Sequence, residues 1–226
     1  MDIRNLVPDP AFAAVVVLAE GLRVAPSPEE LGRLVDELAA RRTSEDFPPA
    51  PVKEAVRGLL RRGGFKPTGR NKPASEYLAQ AAREGRFPRI NNIVDVNNLL
   101  SLETGLPISL LDRRAFAGEV WLRRGRPGER YVFNAAGQEI DLEGLACVCG
   151  GAGPDGTPLG NPVKDSMSGK VRDDTGAVVG VIYADASCGP GRRLAEHGGR
   201  FAELLRRFGG AASAEVQIAA AGRQEP

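Results

Sequence analysis

Apolar positions recur at helical spacing through much of the first hundred residues and then break into short strand-like runs, which predicts a helix-rich half followed by a sheet-rich half. The exception comes first. Residues 11 to 24 centre on Ala13, Val15, Val16, Val17 and Leu18 and close at Glu20-Gly21, the pattern of a short, β-branched, buried strand. A helix follows from Ser27 to Arg42, with Ser27 as cap, Pro28 in the first turn and Leu31, Leu34, Val35 and Leu38 as its apolar stripe. Beyond the Pro48-Pro49 break, Val52, Val56, Leu59 and Leu60 line a second helix from Val52 to Arg62, closed by Gly63-Gly64. Pro73 to Glu84, ending at Gly85, reads as a third.

Residues 91 to 104 form the most informative helix. At about 100° per residue, Ile93, Val96 and Leu100 share one side, while Asn91, Asp95 and Asn98 gather opposite. Amides and a carboxylate are poor choices for a face that only meets water, where Lys and Glu have the better helix propensity. Such a stripe either organises neighbouring backbone or lines a site. After Gly105-Leu106-Pro107 and a turn at Ser109 to Asp112, strand-like runs appear at Glu119 to Leu122, Arg130 to Phe133, Leu145 to Val148 and Val178 to Tyr183. A long polar connection, Gly150 to Thr175, separates the last two; connections of that length are usually functional or disordered. Arg192 to Phe208 is a final helix, Ala214 to Ile218 a final strand, and 219 to 226 a tail expected to fray.

Composition narrows the class. With 226 residues, 42% hydrophobic and 26% charged, the chain matches an ordinary globular protein of one compact unit with an appended layer. The longest apolar run, Ala11 to Ala19, is less than half of the roughly 20 residues that span a bilayer, so no membrane span is expected. Met1-Asp2-Ile3-Arg4 lacks the basic head of a secretory signal, and three cysteines make no disulfide framework; a cytoplasmic address is the expectation. Formal net charge is only +1, but Arg57 to Arg89 holds nine basic residues against two acidic ones, and Arg113 to Arg130 holds six against two. Gathered on one side, these clusters would track a phosphate backbone; otherwise they are solvated faces.

Familiar catalytic chemistry is thinly represented. One histidine, His197, stands without a nucleophile-elbow motif, and Cys147-Val148-Cys149 has neither zinc nor redox spacing, so both thiols read as small core hydrophobes. The glycine-rich stretches match neither a P-loop nor a dinucleotide fingerprint, and no metal or cofactor is implied. What remains are Asn, Asp, Ser and Thr residues in three places: the Asn91–Asn98 helix, the Ser109–Asp112 turn and the Asp165–Thr175 loop. Such groups bind an amino acid's ammonium and carboxylate, or hold water for ester hydrolysis, or simply cap helices and turns.

The stretch RINNIVDVNNLLSLETGLPISLLD, Arg89 to Asp112, resembles the B3/B4 domain of the phenylalanyl-tRNA synthetase beta subunit, and its stand-alone relatives more closely. Asp95, Val96, Asn98, Gly105, Pro107 and Asp112 stand at motif positions, and Gly118 to Arg123 with Gly128-Glu129 continues in register. Asp165-Ser166, Asp173-Asp174-Thr175 and the run Val178 to Tyr183 resemble the loop and strand that close the same domain. The resemblance implies a mixed α/β (α+β) fold with a three-layer core and a β-sandwich of unusual topology. It implies an amino-terminal strand-helix-helix part at 1–64, a B3/B4-like core at 65–218 and the tail at 219–226.

In the synthetase this domain hosts an editing site where tyrosine wrongly attached to the phenylalanine tRNA is hydrolysed by water. Ser109 stands where the bacterial motif has histidine, and Asp165 is the nearest match to the acidic residue that reads the tyrosine hydroxyl. The resemblance therefore implies tRNA or aminoacyl-tRNA as partner, with trans-editing hydrolysis as the activity; the alternative is a non-catalytic module for tRNA or an amino-acid-like small ligand. The expected pocket groups are Asn91, Asp95, Asn98, Ser109, Asp112, Asp165 and Ser166. The expected RNA contacts are Arg61, Arg62, Lys66, Arg70 and Lys72, and no residue is assigned as catalytic.

Overall fold

A computed structural model describes residues 1–219; the part of the expected tail from 220 to 226 lies outside the described residues. Ten strands and six α-helices alternate as β1 (Asp2–Asn5), β2 (Phe12–Glu20), α1 (Glu29–Arg41), α2 (Ala50–Arg62), α3 (Ala74–Arg83), α4 (Asn92–Thr104), β3 (Ile108–Asp112), β4 (Glu119–Arg124), β5 (Arg130–Val132), β6 (Glu139–Asp141), β7 (Ala146–Gly150), β8 (Thr157–Gly160), β9 (Ala177–Asp185), α5 (Gly189–Arg192), α6 (Leu194–Gly209) and β10 (Ser213–Ala219). No helix among the described residues is long and apolar enough to cross a membrane.

The two longest apolar runs, β2 and β9, pair antiparallel over their whole length, from Phe12 opposite Asp185 to Glu20 opposite Ala177. They form the centre of a sheet of order β10-β2-β9-β3. Residues alternate across a strand, and here the alternation sorts two layers. On one face Gly180 lies so close to the ring of Phe201 in α6 that any side chain would collide, and Val15 and Val216 meet Gly198 of the same helix. On the other face Ser109 meets Gly160 at the end of β8. The second sheet, of order β1-β4-β7-β8, packs there, and a small β5-β6 hairpin flanks it. Helices, sheet and sheet make a mixed three-layer α/β core.

Helix α4 is buried on all sides rather than on one stripe, with Asn92, Asp95, Asn97, Asn98 and Ser101 as inaccessible as Ile93 and Leu100. Asn92 is consumed by backbone: its amide donates to the carbonyls of Arg23 and Phe208 and its oxygen accepts from Ala25 N. The helix ends at Gly105, whose φ of 75° suits glycine and whose Cα lies against Pro48.

Three sequence expectations are corrected. Ser27 does not cap α1; its hydroxyl donates to Asp95 at 2.6 Å, and Pro28 holds the cap position without a side-chain bond. The expected turn Ser109–Asp112 is the inner part of β3, because its apolar neighbours pair antiparallel with β9. The connection 150–175 contains β8, which pairs with β7 across a register shift near Pro158; proline at a sheet margin masks the strand pattern. Strands β1 and β6 have three or four residues each and left no periodic signal.

One cluster ties the layers together. Asp9, before β2, and Asp185, at the end of β9, are 5% and 4% exposed, and the Arg62 guanidinium bridges them at 2.8 and 2.9 Å. Arg124 of β4 reaches Asp9 at 3.2 Å and the carbonyls of Leu59 and Gly144. Burial raises the Asp185 pKa, but hydrogen bonds from Ser187 and Arg62 outweigh it and hold the carboxyl below its ordinary value. Arg62→Ala would leave Asp9 with Arg124 alone and Asp185 with no ion-pair partner among the described residues, a loss expected to be about 2–3 kcal/mol because Arg62 itself is partly solvated. Urea unfolding of the variant measures it; a midpoint unchanged from the parent would show the bridge to be dispensable.

Candidate functional site

Beneath the second sheet, β3 brings Ser109 to the loop that follows β8. The Ser109 hydroxyl donates to Asp165 Oδ1 at 2.5 Å and shares a 2.9 Å hydrogen bond with the Tyr183 hydroxyl of β9; Leu110 N donates to Asp165 Oδ2 at 3.1 Å. Gly160 makes this possible, since a Cβ there would stand 2.6 Å from Asp165 Oδ1 and 2.7 Å from Ser109 Oγ. Next to the pair, Asn161 donates to the Tyr131 hydroxyl at 2.6 Å, which donates in turn to the Lys164 carbonyl at 2.5 Å. As a residue Asp165 is partly exposed, but protein encloses its carboxylate, and burial pushes the pKa up to about 7 against the opposing hydrogen bonds from Ser109 and Leu110 N.

A second group forms where β3 ends. Asp112 accepts from the Thr175 hydroxyl at 2.6 Å and from Arg114, which also clamps Asp174 at 2.8 and 2.9 Å. These hydrogen bonds outweigh burial and hold the Asp112 carboxyl below its usual range, and Arg114 pulls Asp174 down to about 2. Here a cleft of about 340 Å³ opens, lined by Asp112, Arg114, Ala115, Ser168, Lys170, Arg172 and Asp174. Ser166 sits at its back as the cap of a short 3-10 turn, accepting from Ser168 N and bonded to the Ser168 hydroxyl at 2.8 Å. Neither Lys170 nor Arg172 has a carboxylate within ion-pair distance among the described residues.

The expected pocket residues thus fall into separate networks. Ser109 and Asp165 meet directly, while Asp112 and Ser166 adjoin the cleft. Asn91 caps α4 by accepting from Val94 N, and Asp95, 2% exposed, accepts from Ile90 N and Ser27. Asn98 is buried and accepts only a long bond from Asn97, whose own oxygen has no partner. Sequence reasoning did not single out Tyr131, Tyr183, Asn161, Lys170 or Arg172. The tyrosines look like ordinary strand residues, and Asn161 like a loop filler between Gly160 and Pro162.

Electrostatics divides the expected RNA contacts. Arg62 is committed to Asp9 and Asp185, and Arg61 pairs with Glu54 at 2.9 Å on the surface. Lys72 donates to Gln80. Lys66 and Arg70 are exposed and without an ion pair among the described residues. In the second cluster Arg113, Arg114, Arg123, Arg124, Arg126 and Arg130 all face carboxylates. The three thiols are free and buried, burial raising each pKa, to about 12 at Cys149.

Two outcomes follow. Folded protein holds the Asp165 proton more tightly than unfolded chain, so this group's contribution to stability is complete below the ordinary value of 3.8 and is lost as pH rises through about 7. The stability of the parent relative to Asp165→Asn should therefore fall by about 1.4 kcal/mol per pH unit within that window; a constant difference in paired denaturation curves would refute the raised pKa. Asp95→Ala, by orphaning Ile90 N and Ser27, should cost roughly 1–3 kcal/mol, measurable in the same way.

Residues 64–182 match the family described as the B3/4 domain, more than half of the chain. A phenylalanine–tRNA ligase beta subunit from Bradyrhizobium diazoefficiens is 28% identical over 104 residues, covering 44% of this chain and 13% of that protein. The corresponding subunit from Symbiobacterium thermophilum is 38% identical over 61 residues, covering 26% of this chain and 7% of its own length. The chain thus spans a small fraction of these relatives. A solved N-terminal fragment of the phenylalanyl-tRNA synthetase beta-subunit from Pyrococcus horikoshii overlays 96% of this chain and 50% of its own, with a TM-score of 0.47 and 12% identity. By the extent of the family match, the chain belongs to the B3/4 domain family.

Proposed function

We propose that the chain binds tRNA and receives its aminoacylated end in the cleft between the end of β3 and the 166–174 loop. One observation carries this: two segments remote in sequence, the motif ending at Asp112 and the loop holding Ser168, Lys170 and Arg172, meet around about 340 Å³ of open space. Lys170 and Arg172 offer charge to phosphates because neither is held in a direct ion pair among the described residues, although each feels a neighbouring carboxylate, Asp165 and Asp174 respectively, and the Asp112 carboxylate offers an acceptor to an ammonium group. The relatives whose names refer to phenylalanine and tRNA support the choice of ligand.

Hydrolysis of the aminoacyl ester is the second reading, favoured by the Ser109–Asp165 pair. A carboxyl pushed up to about 7 beside a hydroxyl is poised for proton transfer near neutral pH. Its weakness is location: Ser109 is fully buried, bonded to Tyr183, and on β3 it alternates with Asp112 onto the opposite face. Binding therefore ranks above hydrolysis.

The test is filter binding of tRNA across a salt titration. Lys170→Ala/Arg172→Ala should weaken association and reduce the slope of log affinity against log salt by roughly 1–2; tRNA affinity unaffected by the pair of changes would remove the cleft from consideration. Incubating the parent and Asp165→Asn with a panel of misacylated tRNAs separates the two readings. Faster ester loss with the parent alone favours hydrolysis, and ester lifetimes equal to buffer leave binding only.

A further inference from the structure

We propose that Tyr77 and the polar frame around it form a stacking platform for an unpaired RNA nucleotide, a site separate from the cleft. The proposal rests on the tRNA-binding reading and names a second place where the nucleic acid is held. Tyr77 lies on α3 and is 50% exposed, so a large ring faces solvent from a helix whose Leu78, Ala79, Ala81 and Ala82 are packed inward. Two cations stand near the ring. Lys72 Nζ is 5.8 Å from the ring centroid and the Arg86 guanidinium 5.9 Å.

Neither cation is a loose surface chain. Lys72 donates to Gln80 Oε1, Gln80 Nε2 donates to Glu84 Oε1 at 2.5 Å, and Arg86 donates to the other Glu84 oxygen. This series of bonds runs along α3 and holds both positive groups near the Tyr77 ring, Arg86 also meeting the Tyr77 hydroxyl, which lowers the ordering cost of binding. Within the frame two cations face a single carboxylate. Positive charge continues past it: Arg70 is exposed and unpaired among the described residues, and Lys164 lies 4.0 Å from the Phe133 ring, its pKa lowered by burial and by the Arg70 charge beside it.

An aromatic face flanked by fixed cations suits a nucleobase with a phosphate on either side, because every base has a π-face and the cations meet the backbone irrespective of sequence. An acidic peptide would engage the cations and leave the ring unused. Duplex RNA hides its base faces and would ignore Tyr77.

The experiment is a fluorescence-anisotropy titration of the whole chain with a labelled single-stranded RNA of about ten nucleotides, a hairpin duplex and a full tRNA. Tyr77→Ala should weaken the single strand by about tenfold and leave the duplex unchanged, whereas Tyr77→Phe, which keeps the ring and loses only the hydroxyl's bond to Arg86, should retain most of the affinity. Lys72→Ala/Arg86→Ala should reduce the single-strand salt slope by roughly 1.4, two phosphates' share. Single-strand affinity indifferent to Tyr77→Ala overturns the platform. So does tRNA binding with no single-strand binding, which leaves the tRNA reading intact. Absence of binding by all three RNAs overturns both.

Discussion

Everything in the architecture converges on the guanidinium of Arg62. It leaves the last turn of α2 and bridges Asp9, which precedes β2, to Asp185, which ends β9. Phe12 and Asp185 are opposite each other in the central pair, so this bridge closes the open end of the two longest strands. Arg124 joins from the second sheet through Asp9 and through the carbonyls where α2 and the β6–β7 turn approach each other. Backbones there come so near that neither Gly63 nor Gly144 has space for a side chain. Two carboxylates at that depth need cationic partners, and Arg62 and Arg124 supply them. The helix layer and both sheets are thereby held in one register.

The polar knot between the sheets follows from that register. Once β3 lies against β9 and β8 approaches from the second sheet, Ser109, Tyr183 and Asp165 face one another in a space with no room beside Gly160. The hydroxyls satisfy each other and the carboxylate, yet burial still exceeds their stabilisation, which is why the Asp165 proton is retained to about pH 7. Polar groups in a sheet interface cost stability unless they are fully paired.

Charge is distributed according to the same logic. Most arginines of the two basic stretches pair with carboxylates, some inside the stretch, such as Glu76 for Arg57 and Glu129 for Arg123, and some brought from elsewhere, such as Asp36 for Arg89 and Glu20 for Arg113. Among the described residues, Lys66 and Arg70 after α2 and Lys170 and Arg172 at the cleft are among the cations held in no ion pair. A phosphate backbone would be read by these residues and by the frame around Tyr77, not by the whole of either cluster. Surface pairs such as Arg61 with Glu54 are weak enough to open for a competing phosphate.

The sequence alone determined the elements that carry strong periodicity: β2, β9, α2 and α6 appear close to where Val15–Leu18, Val178–Tyr183, Val52–Leu60 and Leu194–Leu205 placed them. It also determined the family, through a motif whose spacing from Asp95 to Asp112 is intact. Tertiary structure decided what those polar residues do. A helical wheel distinguishes two faces but not whether the polar face meets water or other helices, so Asn91 and Asp95, expected at a pocket, instead cap and anchor backbone within the core. Local charge counts likewise omit partners more than fifty positions away, which is how Arg62, counted for RNA, belongs to Asp9 and Asp185. Strand register and ion pairing are long-range choices, made only when distant segments compete for the same buried space, and no window of sequence contains both competitors.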